Sequence, residues 1–284
     1  KMYFNLERCS KSFGKLICVG SGSDYGPKNL IPPLVREDFF GDYVPADIYG
    51  FSKYVIAKNV EDDPKNIINL RVFGIYGKYE DYTRRFISNN ICRVLAGKGI
   101  SINKNMLFDY LYVDDFSRML EIFVNNDSQQ KSYNICTSDP IDFLTYAAII
   151  RDVDGGDLTI DVKQEGMNTE YSGDNSQFLQ EFGNFDFTDP KIAIAELYDW
   201  YKNSSEIAFE EMDFWQARSV NETITSLLEK LKGKPLVVWG ARMTGIGFSR
   251  FSRKNDLNLI GFVDSDPSLY GKFIDGVEIG GPES

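Results

Sequence analysis

Short apolar runs alternate with longer amphipathic segments along most of the chain. The runs KLICVG (15–20), NIINLRVFGIYG (66–77), ISINKNMLFDYLY (100–112) and SYNIC (132–136) are rich in β-branched and aromatic residues and predict short strands. Helical spacing predicts helices over 2–13, from Asp47, over 84–99, from about Asp114, over 142–153 and over 189–203. Strands that alternate with helices indicate an α/β fold with a mostly parallel sheet.

A second strand-helix-strand pattern begins towards the end of the chain. PLVVWG (235–240) and LNLIGFVDSD (257–266) predict strands, and the segment between them predicts a turn and a helix. Residues 204–234 have the pattern of a helical connector. We therefore expect one domain over 1–203, a connector over 204–234 and a second domain that starts at 235–284.

Composition narrows the classes of function. The 284 residues carry 31 basic and 42 acidic side chains, and the net charge of −11 argues against nucleic acid or anionic lipid as partners. No apolar run approaches the roughly 18 residues of a membrane span, and no signal peptide is visible, so a cytoplasmic protein is expected. The four cysteines are scattered without a C-x-x-C, which fits a reduced compartment and predicts no metal site.

The absence of histidine restricts the chemistry that the chain can perform. It excludes His-based triads, His general acids and most zinc sites. Proton transfer near neutral pH therefore has to use Tyr, Lys, Cys, Asp or Glu.

Three tyrosines stand four residues before a lysine, in the pairs Tyr49–Lys53, Tyr54–Lys58 and Tyr198–Lys202. Residues at this spacing share one helix face, so each pair is compatible with ordinary helix surface. Only the first pair stands at a predicted helix start, after a strand that ends in a Gly/Ser-rich loop. The second pair is turned onto another face of the same helix, and packing beside other aromatic residues is expected for the third.

Several motifs, in order, resemble the extended short-chain dehydrogenase/reductase family, whose members mostly modify nucleotide sugars. The matching segments are VGSGSDYG (19–26), DIYGFSK (47–53), LRVFGIYG (70–77), FDYLYVDDFSRML (108–120), SYNIC (132–136) and FGNFDFTDPKIAIAELYDWY (182–201). Together they are far more specific than any one of them. The resemblance covers about 1–203 and implies a Rossmann-like sheet, incomplete at its N-terminal side, with a small C-terminal substrate subdomain.

The resemblance implies a catalytic set of Ser21, Tyr49 and Lys53. In the family, the phenol transfers a proton while NAD or NADP takes or gives a hydride, and the serine hydroxyl stabilises charge on the substrate oxygen. A free phenol titrates near pH 10, and a lysine one turn away together with the nicotinamide charge favours the phenolate. For Ser21, the alternative is an ordinary turn residue.

The resemblance also implies binding positions. Tyr49, Lys53 and Phe73 are the expected cofactor contacts, and Ser23, Arg84 and Arg85 are the expected contacts to a nucleotide-linked sugar. A homodimer is left open.

Three departures from the family pattern change the expected function. The G-x-x-G-x-x-G unit that holds the cofactor pyrophosphate is not among these residues, so NAD(P) binding is expected only with a missing N-terminal segment. Phe108 stands where many members have a pyrophosphate-binding Arg. Gly22 and Ser23 replace an Asp-Glu pair of the sugar 4,6-dehydratases, which disfavours dehydration. Epimerisation or reduction of a nucleotide sugar in polysaccharide biosynthesis is the leading hypothesis, and a catalytically inactive nucleotide-sugar-binding or scaffold module is the alternative.

The second predicted unit offers a separate nucleotide-site candidate. Gly240, Gly245 and Gly247 are expected between its first strand and its helix, and Asp264 closes its second strand. Their spacing, G-x4-G-x-G, departs from the dinucleotide-binding G-x-G-x-x-G, so a tight turn alone is the alternative. GFVDSDPSLYGKFIDGVEIGG (261–281) resembles a small Rossmann-like domain of sugar acyltransferases and other polysaccharide-pathway enzymes. A further hypothesis is that this unit supplies the missing cofactor half, as in a circular permutation.

Overall fold

The computed structural model of the protein describes residues 2–62, 66–204, 228–241 and 243–283, with only the backbone for 243–247. The chain divides into two compact units, Lys1–Trp215 and Gln216–Ser284. Most of the predicted helical connector, 204–234, lies outside the described residues.

The first unit combines seven described helices with nine described strands. The helices are α1 (Met2–Glu7), α2 (Ile48–Asp62), α3 (Phe86–Leu95), α4 (Val113–Asn125), α5 (Phe143–Asp154), α6 (Ser176–Phe182) and α7 (Pro190–Lys202). The strands are β1 (Leu16–Val19), β2 (Ile67–Val72), β3 (Gly74–Tyr76), β4 (Ile100–Asn105), β5 (Leu107–Phe108), β6 (Tyr110–Tyr112), β7 (Ser132–Ile135), β8 (Ile141–Asp142) and β9 (Ile160–Met167). Short 3-10 helices occupy Ser10–Ser12, Gly22–Tyr25 and Glu37–Phe39.

Parallel pairing dominates this unit. The strands β1, β2 and β7 form a parallel sheet in the order β1-β2-β7, in which Val19 is level with Leu70 and Leu70 with Tyr133. The unit contains three further strand pairs. The pairs β3 with β6 and β4 with β9 are parallel, and the pair β5 with β8 is antiparallel. Since the three central strands run in one direction, their carboxyl ends share one edge, where the loop after β1 begins.

The central strand β2 is buried on both faces, as parallel strands usually are. On one face, Ile68 and Leu70 pack with Met119 and Phe123 of α4 and with Phe178 of α6. Full burial of each such side chain contributes roughly 1.5–3 kcal/mol. A separate core joins α3, α5 and α7 around β4, so the two parts of the first unit each have their own apolar centre.

The other face of β2 carries Arg71, whose side chain is fully buried. Its Nε lies 3.1 Å from both carboxylate oxygens of Asp24, and its Nη2 lies 3.3 Å from Oε1 of Glu61 on α2. The guanidinium also stacks on Phe40, 4.3 Å from the ring centre. Burial raises the pKa of Asp24 to about 6 against the opposing charge of Arg71, so the carboxylate is ionised at neutral pH. One guanidinium therefore joins the 3-10 helix Gly22–Tyr25 and α2 to the central strand.

Most predicted elements are present with shorter bounds. The helix expected over 2–13 consists of α1 and a 3-10 turn, and the run 66–77 breaks at Phe73 into β2 and β3, which pair with different strands. The sequence pattern predicts no element over 163–178, yet β9 extends to Met167 and α6 begins at Ser176. The strand was missed because only Ile160 and Val162 of β9 are half-buried, while residues 163–166 are polar or glycine and exposed.

The second unit has a smaller sheet of its own. Its described elements are α8 (Met243–Lys254), β10 (Leu236–Trp239), β11 (Leu259–Val263), β12 (Phe273–Ile274) and β13 (Val277–Gly280). The sheet order is β10-β11-β13-β12; the first three strands are parallel and β12 is antiparallel to β13. The prediction that Gly245 and Gly247 lie between strand and helix is wrong, because α8 begins at Met243 and includes both.

The substitution Asp24→Asn is expected to lower the free energy of unfolding by about 3 kcal/mol, because it removes one charge of a buried ion pair and leaves Arg71 poorly compensated. Urea denaturation followed by circular dichroism measures the change. The matched control is Asp38→Asn, which removes an exposed partner of Arg36 at 3.9 Å and should cost less than about 0.5 kcal/mol. Equal effects of the two substitutions would contradict the structural role of the buried pair.

Candidate functional site

Ser21 lies where the chain turns from β1 into the 3-10 helix Gly22–Tyr25. It is the N-cap of that helix, and its hydroxyl oxygen accepts a hydrogen bond from the Ser23 N–H at 3.2 Å. The N–H of Gly20 donates to the Leu70 carbonyl at 2.7 Å, which anchors the loop to β2 just before the serine. Ser21 is only 6% exposed, so its hydroxyl is shielded from most solvent.

Tyr49 and Lys53 lie on the first turns of α2. The helix begins after Asp47, whose Oδ1 accepts a hydrogen bond from the Gly50 N–H at 2.8 Å and so caps the helix, which agrees with the predicted start at Asp47. Lys53 Nζ donates to the carbonyl of Val19 at 3.0 Å and lies 5.7 Å from the centre of the Tyr49 ring. The lysine therefore links the tyrosine to the carboxyl end of β1.

The loop that contains Ser21, residues 20–26, is called the serine loop. A close approach of α2 to this loop brings the three predicted catalytic residues into one region. A β-carbon placed on Gly50 would lie 2.8 Å from the carbonyl oxygen of Ser23 and 2.9 Å from Oδ2 of Asp47. Only glycine permits this approach without displacing the loop. Gly50 directly follows Tyr49, so the contact holds the tyrosine end of α2 against the loop that contains Ser21.

Phe73 and Tyr171 form the aromatic floor beneath the serine loop. A β-carbon on Gly22 would lie 2.8 Å from both Phe73 Cε1 and the Tyr171 hydroxyl oxygen, and the two ring centres are 5.1 Å apart. Phe73, which the family resemblance implies as a cofactor contact, is buried here. Sequence reasoning missed Tyr171, because it lies in a polar stretch with neither a motif nor a periodic signal.

The two arginines predicted to bind substrate have different neighbours. Arg84 is exposed and pairs with a neighbouring aspartate at 3.8 Å. Arg85 is the N-cap residue of α3. Burial raises the pKa of Tyr110, and the positive charge of Arg85 acts in the opposite direction by favouring the phenolate. The Tyr110 ring lies 4.3 Å from Phe108, the residue that replaces the family's arginine. Arg85 therefore provides a positive charge near the position where the expected one is absent.

The other two Tyr–Lys pairs have structural partners. Lys58 bridges Asp62 at 2.9 Å, and Tyr54 and Lys58 line a cleft of about 510 Å³ that does not include the serine loop. In the third pair, the Tyr198 hydroxyl donates to Asp154 at 2.7 Å. These contacts agree with the interpretation of both pairs as helix surface or packing.

Asp264, the predicted ribose ligand of the second unit, has a structural function. Its Oδ2 accepts a hydrogen bond from the Ala241 N–H at 2.8 Å, and its Oδ1 accepts one from the Asp266 N–H at 2.9 Å. Gly240, with a φ of 103°, allows the turn that brings Ala241 to this carboxylate. These bonds join the loops after β10 and β11, and they do not require a nucleotide.

The thiols and the described helices offer little additional chemistry. All four cysteines are free, and burial raises the pKa of Cys18 to about 11 and that of Cys92 to about 12, so both thiols are protonated at neutral pH. Within the described ranges, no cluster of Cys, Asp and Glu is arranged to hold a metal ion. Each described helix is too short or too polar to cross a membrane.

Comparison with known families agrees with this geometry. Residues 5–136, which contain β1, the serine loop, α2, β2 and β7, match the model of the NAD dependent epimerase/dehydratase family. This segment is similar to that family. The resemblance predicted from the sequence is therefore confirmed over these residues.

A curated relative matches the same part of the chain. The ADP-L-glycero-D-manno-heptose-6-epimerase of Brachyspira hyodysenteriae is 26% identical over 130 residues, which are 42% of this chain and 41% of that protein. The chain thus matches about two fifths of the length of this epimerase/dehydratase relative.

Solved structures share the fold. A dTDP-glucose 4,6-dehydratase from Bacillus anthracis, in complex with NAD, gives a TM-score of 0.60 at 18% identity and covers 72% of this chain and 66% of that one. A UDP-glucose 4-epimerase from Thermotoga maritima, with UDP-glucose, gives 0.60 at 18% and covers 69% and 66%. The Rossmann-like α/β class predicted from the sequence is confirmed.

Glu80 is a largely buried carboxyl group beside Arg85. It accepts a hydrogen bond from the Ser88 hydroxyl. Burial raises the pKa of Glu80 to about 7, although Ser88 and Arg85 both favour the ionised form. The carboxyl therefore changes charge near neutral pH, next to a predicted substrate contact.

The raised pKa predicts a pH-dependent effect of Glu80→Gln. The folded state binds this proton more tightly than the unfolded chain, so the stabilisation is complete below about pH 4.5 and is lost as the pH rises through 7. The neutral variant should match the parent near pH 5 and exceed its free energy of unfolding by about 2 kcal/mol near pH 8. Urea denaturation at both pH values measures the difference in the free energy of unfolding, with the exposed Glu121→Gln as the control. A difference between Glu80→Gln and the parent that is equal at pH 5 and pH 8 would contradict the prediction.

Proposed function

We propose that this protein is an NAD(P)-dependent enzyme that epimerises or reduces a nucleotide-linked sugar, with Ser21, Tyr49 and Lys53 as its catalytic set. One observation carries the proposal: the contact between Gly50 and Ser23 holds the Tyr–Lys helix against the serine loop at the carboxyl edge of a parallel sheet. Ligands of open α/β sheets bind along that edge. The family match of this segment supports the same assignment.

Each side chain of the set has a separate role. The phenol of Tyr49, 56% exposed at the surface of the site, transfers a proton to or from the substrate oxygen. The hydroxyl of Ser21 hydrogen-bonds to that oxygen and stabilises its developing negative charge. Lys53, held by the Val19 carbonyl, supplies a positive charge beside the phenol.

The Tyr–Lys end of the site fits the nicotinamide ribose of a dinucleotide. An ammonium group has three donors, and the Val19 carbonyl uses one of those on Lys53, which leaves donors for ribose hydroxyls. NAD or NADP bound there supplies the hydride acceptor or donor. A glycine-rich turn for the pyrophosphate is not found among the described residues of the first unit, so the fit is limited to the nicotinamide end.

The proposed substrate class is supported by the relatives. The Brachyspira enzyme is named for an ADP-linked heptose, and the Thermotoga epimerase was solved with UDP-glucose. Arg85 is the proposed contact to the diphosphate and Ser23 the proposed contact to the sugar, while Arg84 is a second exposed cation. The free cysteines support a cytoplasmic setting. We extend the proposal to polysaccharide biosynthesis, in which nucleotide-linked sugars are the precursors.

A homodimer is the proposed assembly. Ile48 and Phe51 on α2 are 91% and 49% exposed, and a second copy of the chain would remove this apolar surface from water.

A catalytically inactive nucleotide-sugar-binding or scaffold module is the second candidate. Phe108 favours it, because a ring packed 4.3 Å from Tyr110 cannot hold a diphosphate as an arginine does. Calorimetric titration of the full-length protein with NAD and with NADP separates the two candidates. Binding of either cofactor supports the enzyme, and binding of a nucleotide sugar alone supports the module.

The substitution Tyr49→Phe is expected to lower kcat/KM at least about 100-fold, because it removes the phenolic proton from an otherwise intact site. Cofactor affinity should change little, since Lys53 and its contact with Val19 remain. Turnover is measured with the full-length protein on UDP-, dTDP-, GDP- and ADP-linked sugars, by chromatography of the products.

The matched control is Tyr54→Phe, on the same helix but another face, which should retain full activity. Full activity of Tyr49→Phe would refute the catalytic assignment.

A further inference from the structure

Lys28 lies two residues beyond the serine loop, in a turn that the fold holds in place. The N–H of Leu30 donates to the Pro27 carbonyl at 2.8 Å, so Lys28 is the second residue of this turn. Further along the same segment, the Leu34 N–H donates to the Ser172 hydroxyl at 2.8 Å. The segment is therefore bonded at both ends, and the backbone position of the lysine is set by the fold.

The ammonium group of Lys28 lies over the ring of Tyr171. Its Nζ is 5.9 Å from the ring centre, within the range of a cation–π contact. Tyr171 is 6% exposed, and its hydroxyl oxygen would lie 2.8 Å from a β-carbon on Gly22 in the serine loop. The lysine and the serine loop therefore contact the same buried side chain, which places a positive charge beside the proposed active site.

Phe108 packs against the same ring. The centres of the Phe108 and Tyr171 rings are 5.2 Å apart. By the family resemblance, an arginine that binds the substrate's pyrophosphate is expected at the position of Phe108. The charge of Lys28 is thus separated by one ring from the side chain that replaces the expected charge.

The charge of Lys28 is not neutralised by the part of the chain that the structure describes. The side chain is exposed, and its Nζ has neither an ion pair nor a hydrogen bond with a described residue. The carboxylate of Asp24 binds Arg71, and that of Glu170 accepts a hydrogen bond from the Ser172 hydroxyl at 2.5 Å. In a chain with 42 acidic and 31 basic side chains, a cation on a fixed turn without a carboxylate partner is available for an anionic ligand.

We propose that Lys28 is a specificity-determining residue that binds an oxyanion of the nucleotide-linked sugar; this inference rests on the proposed function. The oxyanion is either a carboxylate on the sugar ring or the diphosphate, for which Arg85 is also proposed. Both offer the charged acceptor oxygens that an ammonium group binds through its three donors. Because the contact with Tyr171 restricts the lysine side chain, less conformational entropy is lost when the oxyanion binds.

Calorimetric titration of the full-length protein, with NAD or NADP present, tests the proposal. The probes are glucose linked to UDP, dTDP, GDP or ADP and, for the nucleotide that binds most tightly, the corresponding glucuronate and the free nucleoside diphosphate. If Lys28 binds the sugar carboxylate, Lys28→Gln should raise the Kd of the glucuronate about 10-fold and leave the other two unchanged. If Lys28 binds the diphosphate, all three Kd values should rise by about that factor.

Further variants separate recognition of charge from a change in structure. Lys28→Arg keeps the positive charge and should retain most of the affinity. Lys58→Gln removes a lysine that is paired with Asp62 outside the serine loop, and it should leave every Kd unchanged. Higher ionic strength should weaken binding by the parent more than binding by Lys28→Gln. Parent-like Kd values of Lys28→Gln for all three probes, or an equal loss of affinity in Lys58→Gln, would overturn the proposal.

The outcomes also distinguish this inference from the proposed function. If nucleotide sugars are bound and turned over but Lys28→Gln binds them as the parent does, the inference alone fails. If nucleotide sugars bind through Lys28 but are not turned over, the enzymatic function fails and the inference stands. If the parent binds no nucleotide sugar, both are overturned.

Discussion

The buried guanidinium of Arg71 is the interaction on which the candidate site depends. From the central strand it reaches Asp24 in the serine loop and Glu61 on α2, the two elements that carry the proposed catalytic residues. A buried ion pair adds little net stability compared with apolar packing, because both charges lose their hydration. Its contribution here is geometric. Arg71 binds Asp24 in the serine loop and Glu61 on α2 at the same time, and so holds the loop and the helix near each other.

A layer of aromatic rings also supports the serine loop. Phe73 and Tyr171 support the serine loop from below, and Phe108 continues the layer towards Tyr110 and the start of α3. Water is scarce in such surroundings, so hydrogen bonds and charges at Ser21 have a stronger effect than they would in solvent. Phe108 belongs to this layer, which explains its presence at a position where a substrate-binding arginine is expected.

Glycines serve different purposes in the two units. In the first unit, Gly50 allows α2 to touch the serine loop, which places the proposed catalytic residues in one region. In the second unit, Gly240 allows a turn that is completed by the Asp264 carboxylate. One glycine therefore supports the candidate active site in the first unit, and another supports loop structure in the second.

The sequence by itself determined the α/β class and most helices and strands, because apolar periodicity is a local property of the chain; its motifs also led to the proposed set of Ser21, Tyr49 and Lys53. Only the tertiary structure showed β9, the helical location of Gly245 and the place of Tyr171. A polar stretch looks the same in sequence whether it is solvated or lies against a core. The environment of Tyr171 is decided by strand pairing between segments that are distant along the chain, and neither its burial nor its neighbour Ser21 can be derived before those strands are paired.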